Sequence, residues 1–320
     1  MLRQWGSGSM SWHSMQPGVA MFERPGYPGF IAYKDHGRHR HVVGDPVCPP
    51  EALEGLLGEF HKSRHPGRIS FFHISLGPAR ALERIGYYIN QIGEEAVIDL
   101  AGHTWRGRKK EDIRRQHNNA VRCGVEVVEG TGGGELLQEA RLVSAEWLAE
   151  VKKGKKELCF AARPPSFGSR PGVRNFYGYQ DGTMVAFVQF DPVCRHGQFE
   201  GYLPSVLRRR KQAPNGTQAL IIKEAMEQFR AEGARSLYLG LLPAHNVEDL
   251  EGGQFRRSRF VAALFSWMGR SALANRFYPF KAVCFHKARY RASSRKVYMA
   301  FGAEYPITAM LSFGRLTGVI

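Results

Sequence analysis

The residues best placed to do chemistry begin at Leu207, where the chain reads LRRRKQAPNGTQALIIKEAMEQFRAEGARSLYLGLLP. The cations Arg208, Arg209, Arg210 and Lys211 run into an Ala-Pro-Asn-Gly turn, then an amphipathic segment, then a short apolar one. A turn that opens a helix can offer backbone N–H groups and the positive end of the helix dipole to a phosphate. A second basic run, RGRKKEDIRRQHNNAVR, carries Lys109, Lys110, Arg114, Arg115 and Arg122. These could follow a phosphate backbone, although a helix with one solvated basic face has the same pattern. KKGKKE, ending at Glu157, suits RNA or anionic lipid equally. Glu94 and Glu95 are adjacent carboxylates. Neighbours on a strand point to opposite faces, so one of the two is expected in solvent. His61 and His65 stand four apart with no third ligand, and there is no C-x-x-C pair, so no metal site is expected. His36, His39 and His41 sit about a turn and read as solvated. Gly44-Asp45-Pro46 reads as a turn in which Asp45 accepts local backbone hydrogen bonds. No Ser-His-Asp set is readable.

The elements that must position these residues are those of a globular protein. The chain has 320 residues, 43% apolar and 23% charged, enough for one large domain or two ordinary ones. Its 45 Lys and Arg against 29 Asp and Glu give a net +16, which points to a polyanionic partner, nucleic acid or an anionic membrane face. The five cysteines are odd in number and widely spaced, as expected of reduced thiols in a cytosolic protein. The N-terminus lacks the apolar core of a signal peptide, and the apolar run from Phe260 to Gly269 is far short of a membrane span. Any membrane contact is therefore expected to be peripheral.

Along the chain, FIAYKDHGRHRHVV reads as two strands about a turn, and PPEALEGLLGEFHK as a helix opened by proline. RISFFHISL and EEAVIDL read as strands, with ARALERIGYYIN between them as a helix. The basic run is a helix closed by Gly124, followed by the strand VEVVEG. GTGGGE, Gly130 to Glu135, is the clearest joint and divides the chain into 1–133 and 134–320. Beyond it come a helix, a hairpin turning at Asp181-Gly182, a further strand, the stretch from Leu207, helical FVAALFSWMGRSALANRF, and a last strand and helix. Strands and helices in this mixed order predict an α+β fold.

Several landmarks together resemble one family. FIAYKDHGRHRHVVGDPVCPPE, IGEEAVIDL, WRGRKKEDIRRQHNNAVRCG, SAEWLAEVKKGKKELCF, DGTMVAFVQF, APNGTQALIIKEAMEQFRAEG, YLGLLP and FYPFKAVCFHKARY look like the catalytic domain of bacterial phosphatidylglycerol lysyltransferases, in order and at compatible spacing. The resemblance implies two tandem acetyltransferase-like (GNAT-like) folds. It also implies aminoacyl transfer from aminoacyl-tRNA, as co-substrate and partner, to the hydroxyl of an anionic membrane lipid. Neither another cofactor, nor a metal, nor DNA is implied, and the expected place is the cytoplasmic face of the membrane. Family members often carry a transmembrane flippase region ahead of this domain.

An aminoacyl ester is already activated, so positioning and oxyanion stabilisation can suffice. By the resemblance, Arg208 is the arginine closing the family's Asp-Leu-Met-Arg motif and would anchor a phosphate or the substrate by bidentate contacts. Lys287 matches the lysine behind the aromatic segment, and its ammonium would stabilise the oxyanion or a phosphate. Tyr278 and Phe280 would line a tunnel or stack a base, with Asn215 and Asp249 further substrate-binding candidates. The family's aspartate falls on Ser205, which supplies no charge. Asp249 or Glu248 is then the carboxylate to look for, unless the substrate differs or the activity is lost. Two other readings stand beside this one: an acyl-CoA-dependent N-acyltransferase, and a non-catalytic tRNA- or membrane-binding relative. The turn KQAPNGT argues against the former, since it holds one glycine and a proline without an N–H where a CoA pyrophosphate needs amides.

Overall fold

Strand β8, Thr183–Arg195, is buried along nearly its whole length, on both faces, which is why its sequence reads as a continuous apolar run. It lies inside an eleven-stranded sheet that dominates the computed structural model. Residues 1–130, 133–152, 156–195, 197–245, 247, 255–271 and 280–319 are described. The strands are β1 Ala20–Arg24, β2 Tyr27–His36, β3 His39–Val43, β4 Ile69–Ile74, β5 Tyr88–Asp99, β6 Val125–Glu129, β7 Arg174–Gln180, β8, β9 Gln198–Arg209, β10 Ser236–Pro243 and β11 Ser293–Phe301. Their order in the sheet is β1-β2-β3-β4-β11-β5-β10-β9-β8-β7-β6.

Helices cover the sheet. α1 is Leu2–Trp5. α2, Leu53–Lys62, and α3, Leu76–Arg84, bury Leu56, Leu57, Phe60 and Leu82 against Ile31, Phe71 and Ala300. α4 is Glu111–Arg122 and α5 is Gly134–Glu146. α6, Thr217–Ala231, repeats its apolar residues at helical spacing, and Ile221, Ala225 and Phe229 pack on Phe176, Val188 and Phe190. α7 is Arg259–Arg270, α8 Phe280–Ala288 and α9 Ile307–Thr317. Among the described residues no helix is long and apolar enough to cross a membrane.

Two features of the sheet set where side chains can converge. β9 and β10 are parallel, and they pair only at Ser236 with Gly201 and Leu237 with Tyr202. Beyond that point β10 stays on β5 while β9 stays on β8, so the two strands part company. The second feature is β11, which comes from the end of the chain and lies between β4 and β5. The sequence is expected to divide at the joint Gly130 to Glu135, and hydrogen bonds link elements across that point. β6, ahead of the joint, edges the second half through β7, and β11, far beyond it, completes the first.

Several local expectations are corrected. ARALERIGYYIN is a helix only as far as Arg84. Gly86, at φ 94°, takes a left-handed turn, and Tyr88 starts β5. Glu94 and Glu95 are both buried, because β5 is covered on both faces and flanked by β11 and β10. His41 is buried as well, held between Ser70 Oγ (2.6 Å) and Ser312 Oγ (2.9 Å). Asp45 does not serve its own turn; it accepts from Ser75 N (2.8 Å) and Ser75 Oγ (2.7 Å), 30 residues along the chain.

Candidate active site

The turn before α6 is built tightly. Gly216 has φ 95°, and a Cβ there would sit 2.1 Å from Gln116 O, so only glycine fits. Thr217 turns both its N–H (3.2 Å) and its hydroxyl (2.7 Å) to Pro214 O. Asn119 Nδ2 donates to Asn215 O at 2.9 Å and ties α4 to the turn. In front of it opens a cavity of about 440 Å³ whose lining includes Arg209, Lys211, Asn215, Gln218, His286 and Arg289. No acidic side chain lines it among the described residues. Arg289 is braced by Asp112 Oδ2 at 2.8 Å. Burial, then the charges of Arg289 and Lys287, pull His286 down to about 4, so its ring is neutral near pH 7.

Lys287 follows His286 on α8, and its ammonium reaches β10. Nζ donates to Leu241 O at 2.7 Å, at the stretch where β9 has left β10. The register of β10 slips between Tyr238 and Gly240, and Gly240 has φ 73°. A Cβ on Gly240 would meet Lys287 Nζ and Leu203 Cδ1, each at 3.5 Å, which places the ammonium at the divergence of the two strands. Burial pulls the Lys287 ammonium down to about 8, opposed by the negative charge of Glu95. An ammonium has three N–H donors, and Leu241 O takes one.

Arg208 faces the other way. Successive side chains of a strand alternate, so Arg209 faces the cavity while Arg208 passes to the α5 side of the sheet. There its guanidinium lies 3.9 Å over the Trp147 ring, and Nη2 donates to Glu157 Oε1 at 2.6 Å. Burial lowers its pKa, Glu157 opposes that, and Nε has no partner. Ser205 accepts from Arg163 Nη2 (3.0 Å) and donates to Gln189 O (3.2 Å). Arg163 grips Asp191 with two bonds, 2.9 and 2.8 Å, and both side chains are buried. The Ser205 hydroxyl therefore rests on an arginine whose charge a neighbouring strand already neutralises. Asp191 and Arg163 escaped the sequence reading. The signal for Asp191 was present in VAFVQFDPV, where a lone acid interrupts an apolar strand.

Of the remaining candidates, Lys109, Arg115 and Arg122 are exposed on or just before α4. Arg115 pairs with Asp112 (2.8 Å) and Arg122 with Asn119 (3.0 Å). Arg114 and Lys110 turn back on their own loop: Arg114 Nη1 donates to Trp105 O and Gly107 O, and Lys110 Nζ to Thr104 O. Tyr278, Asp249 and Glu248 lie outside the described residues, as does the side chain of Phe280.

On the far side of the sheet Glu95 receives Ser9 Oγ and faces His73 Nε2 at 3.6 Å, beside a cavity of about 70 Å³. Burial alone pushes the Glu95 carboxyl up, but its bonds from His73 and Ser9 and the charge of Lys287 carry it below the usual range. Among the described residues no cluster of His, Cys, Asp or Glu could hold a metal ion.

The mixed sheet, the parting of β9 from β10 and the turn before α6 define an α+β fold. The family profile described as "Phosphatidylglycerol lysyltransferase, C-terminal" matches residues 1–301, and the chain belongs to that family. It is 26% identical over 264 residues to the phosphatidylglycerol lysyltransferase of Bacillus subtilis (strain 168), covering 81% of this chain and 29% of that protein. To the enzyme of that name from Staphylococcus epidermidis it is 29% identical over 284 residues, 87% of this chain and 32% of that one. The chain thus spans about a third of the length of these relatives. The structure of L-PGS from Bacillus licheniformis superimposes with a TM-score of 0.80 at 23% identity, covering 99% of this chain and 95% of that chain.

Proposed function

We propose that this chain transfers an aminoacyl group from aminoacyl-tRNA to the hydroxyl of phosphatidylglycerol or a similar lipid, at the cytoplasmic face of the membrane. The observation that carries the reading is a cationic cavity at the start of α6, with no acidic side chain among the described residues that line it, joined through α8 to the buried Lys287 ammonium at the parted strands. In this reading Arg209, Lys211 and Arg289 receive the terminal phosphates of the tRNA, with Arg115 and Arg122 following the acceptor stem. The ester carbonyl lies at Lys287, whose two remaining N–H groups face the oxygen that becomes negative. The lipid hydroxyl attacks the carbonyl carbon, and the bond from that carbon to the tRNA ribose oxygen breaks. The proton lost by the lipid hydroxyl ends on the ribose oxygen, leaving aminoacyl lipid and free tRNA. One ester replaces another, so no further cofactor is needed.

An acyl-CoA donor fits less well. Pro214 has no N–H, and the N–H groups of Ala213 and Thr217 are spent on Arg210 O and Pro214 O, which leaves the turn short of amides for a pyrophosphate. The test is incubation with a mixed pool of radiolabelled aminoacyl-tRNAs and total lipid extract. Label should pass into the organic phase, and pre-treatment of the donor with RNase should abolish transfer. Transfer that survives RNase, or that depends on acetyl-CoA, would overturn the reading.

A further inference from the structure

We propose that α7 and α9 together form a face that docks on an anionic phospholipid bilayer. Both helices turn large apolar side chains outward, where a surface helix usually carries charge. On α7 the exposed positions are Arg259, Ala263, Trp267 and Arg270, one stripe at helical spacing, with Trp267 49% exposed. On α9 the outward stripe is Ile307, Leu311 and Arg315, with Ile307 47% and Leu311 46% exposed. Tyr305, just ahead of α9, is 66% exposed.

The two helices border one core. Val261 and Phe265 of α7 share one core cluster with Ala309 of α9 and Phe301 of β11. The rings of Phe260 and Tyr305 are 6.5 Å apart, and Ser258 Oγ donates to Glu304 O.

The chemistry selects the occupant. Neither helix contains an acidic residue, and arginines stand at both ends of the α7 stripe and at the end of the α9 stripe. Trp and Tyr among aliphatics, flanked by arginine, match the boundary between headgroups and acyl chains. A second copy of the chain would bring like charges together, on a protein already at +16. Because α7 also packs against α8, this face adjoins the helix that carries Lys287. The docking geometry stands by itself, while its purpose, delivering a lipid acceptor, rests on the function proposed above.

The test is co-sedimentation of the full chain with phosphatidylcholine vesicles, with and without phosphatidylglycerol, and no tRNA present. Binding should require the anionic lipid. The double variant Trp267→Glu, Leu311→Glu should weaken it by roughly tenfold or more, at an unchanged melting temperature. Should that variant fold poorly, Trp267→Phe replaces it: brominated acyl chains should quench the emission of the wild type more than that of Trp267→Phe. Equal binding by the double variant, equal quenching in Trp267→Phe, or a solution dimer dissolved by the same substitutions would overturn the proposal. Transfer to detergent-dispersed lipid should survive in the double variant. If the wild type shows no transfer while its vesicle binding still depends on Trp267 and Leu311, the function fails and the docking face stands.

Discussion

Lys287→Met should separate function from stability. The substitution keeps an unbranched side chain of similar reach and removes the charge. If the ammonium stabilises the oxyanion, losing it should cost about 100- to 1,000-fold in turnover, the range for removing one such donor. The effect on folding should have the opposite sign. Burial draws the lysine from 10.5 to about 8, so holding it as an ammonium near pH 7 costs roughly 3 kcal/mol. That figure already includes the attraction to Glu95, and losing the hydrogen bond to Leu241 O offsets part of the gain, so the variant should melt at or slightly above the wild type at pH 7. The sign comes from linkage. A lowered folded pKa means the cost is full below about 8 and fades as pH rises towards 10.5, so the relative advantage of methionine should vanish by then. Wild-type turnover should decline as pH rises through about 8, where the ammonium is lost. The assay pairs initial rates of label transfer with thermal melts across that range. A variant that melts several degrees lower yet transfers within twofold of the wild type would refute the reasoning, since Lys287 would then be a structural tether to Leu241 O.

Other contacts carry outcomes of their own. Gly216→Ala forces a Cβ to within 2.1 Å of Gln116 O at a left-handed φ; it should cost on the order of 2 kcal/mol in urea unfolding and weaken tRNA binding, since α4 and α6 must shift apart. Ser205→Asp places a second carboxylate on Arg163 beside Asp191; it should lower the melting temperature, and adding Asp191→Asn should restore it, with a coupling of about 1–3 kcal/mol in a double-mutant cycle. His41 is held down at about 3 by burial, against 6.5 when unfolded, so its contribution is present above 6.5 and lost as pH falls from there towards 3, up to roughly 5 kcal/mol. Denaturation midpoints should show this acid limb, and His41→Gln should flatten it.

What the sequence made legible were the local devices. Gly216 and the apolar spacing of α6 announced the turn and its helix, because both depend on residues within a few positions. The hairpin at Asp181-Gly182 was plain for the same reason. Pairings distant in the chain were hidden. Nothing near Ser205 reveals that Arg163 will hold its hydroxyl, or that Asp191 will already occupy that arginine. Glu94 and Glu95 read as a strand with one wet face because the sequence does not show that β11 and helices from elsewhere cover β5. The division of labour between Arg208 and Arg209 was available from strand alternation alone. What the alternation could not tell was which face held the cavity, since that depends on where α6 and α8 pack.

The position of β11 bears on how the chain is made. A ribosome delivers β4 and β5 about two hundred residues before the strand that lies between them. During that interval the edges of β4 and β5 that β11 will join stay unpaired, each able to pair with the wrong partner. Sheet closure therefore waits for β11, and a fragment cut at the glycine-rich joint would lack the strand that joins β4 to β5. A nascent chain stalled before Ser293 should be prone to aggregation, and supplying residues 293–317 as a separate peptide should relieve it. Synthesis from N- to C-terminus thus makes β11 the strand that commits the sheet.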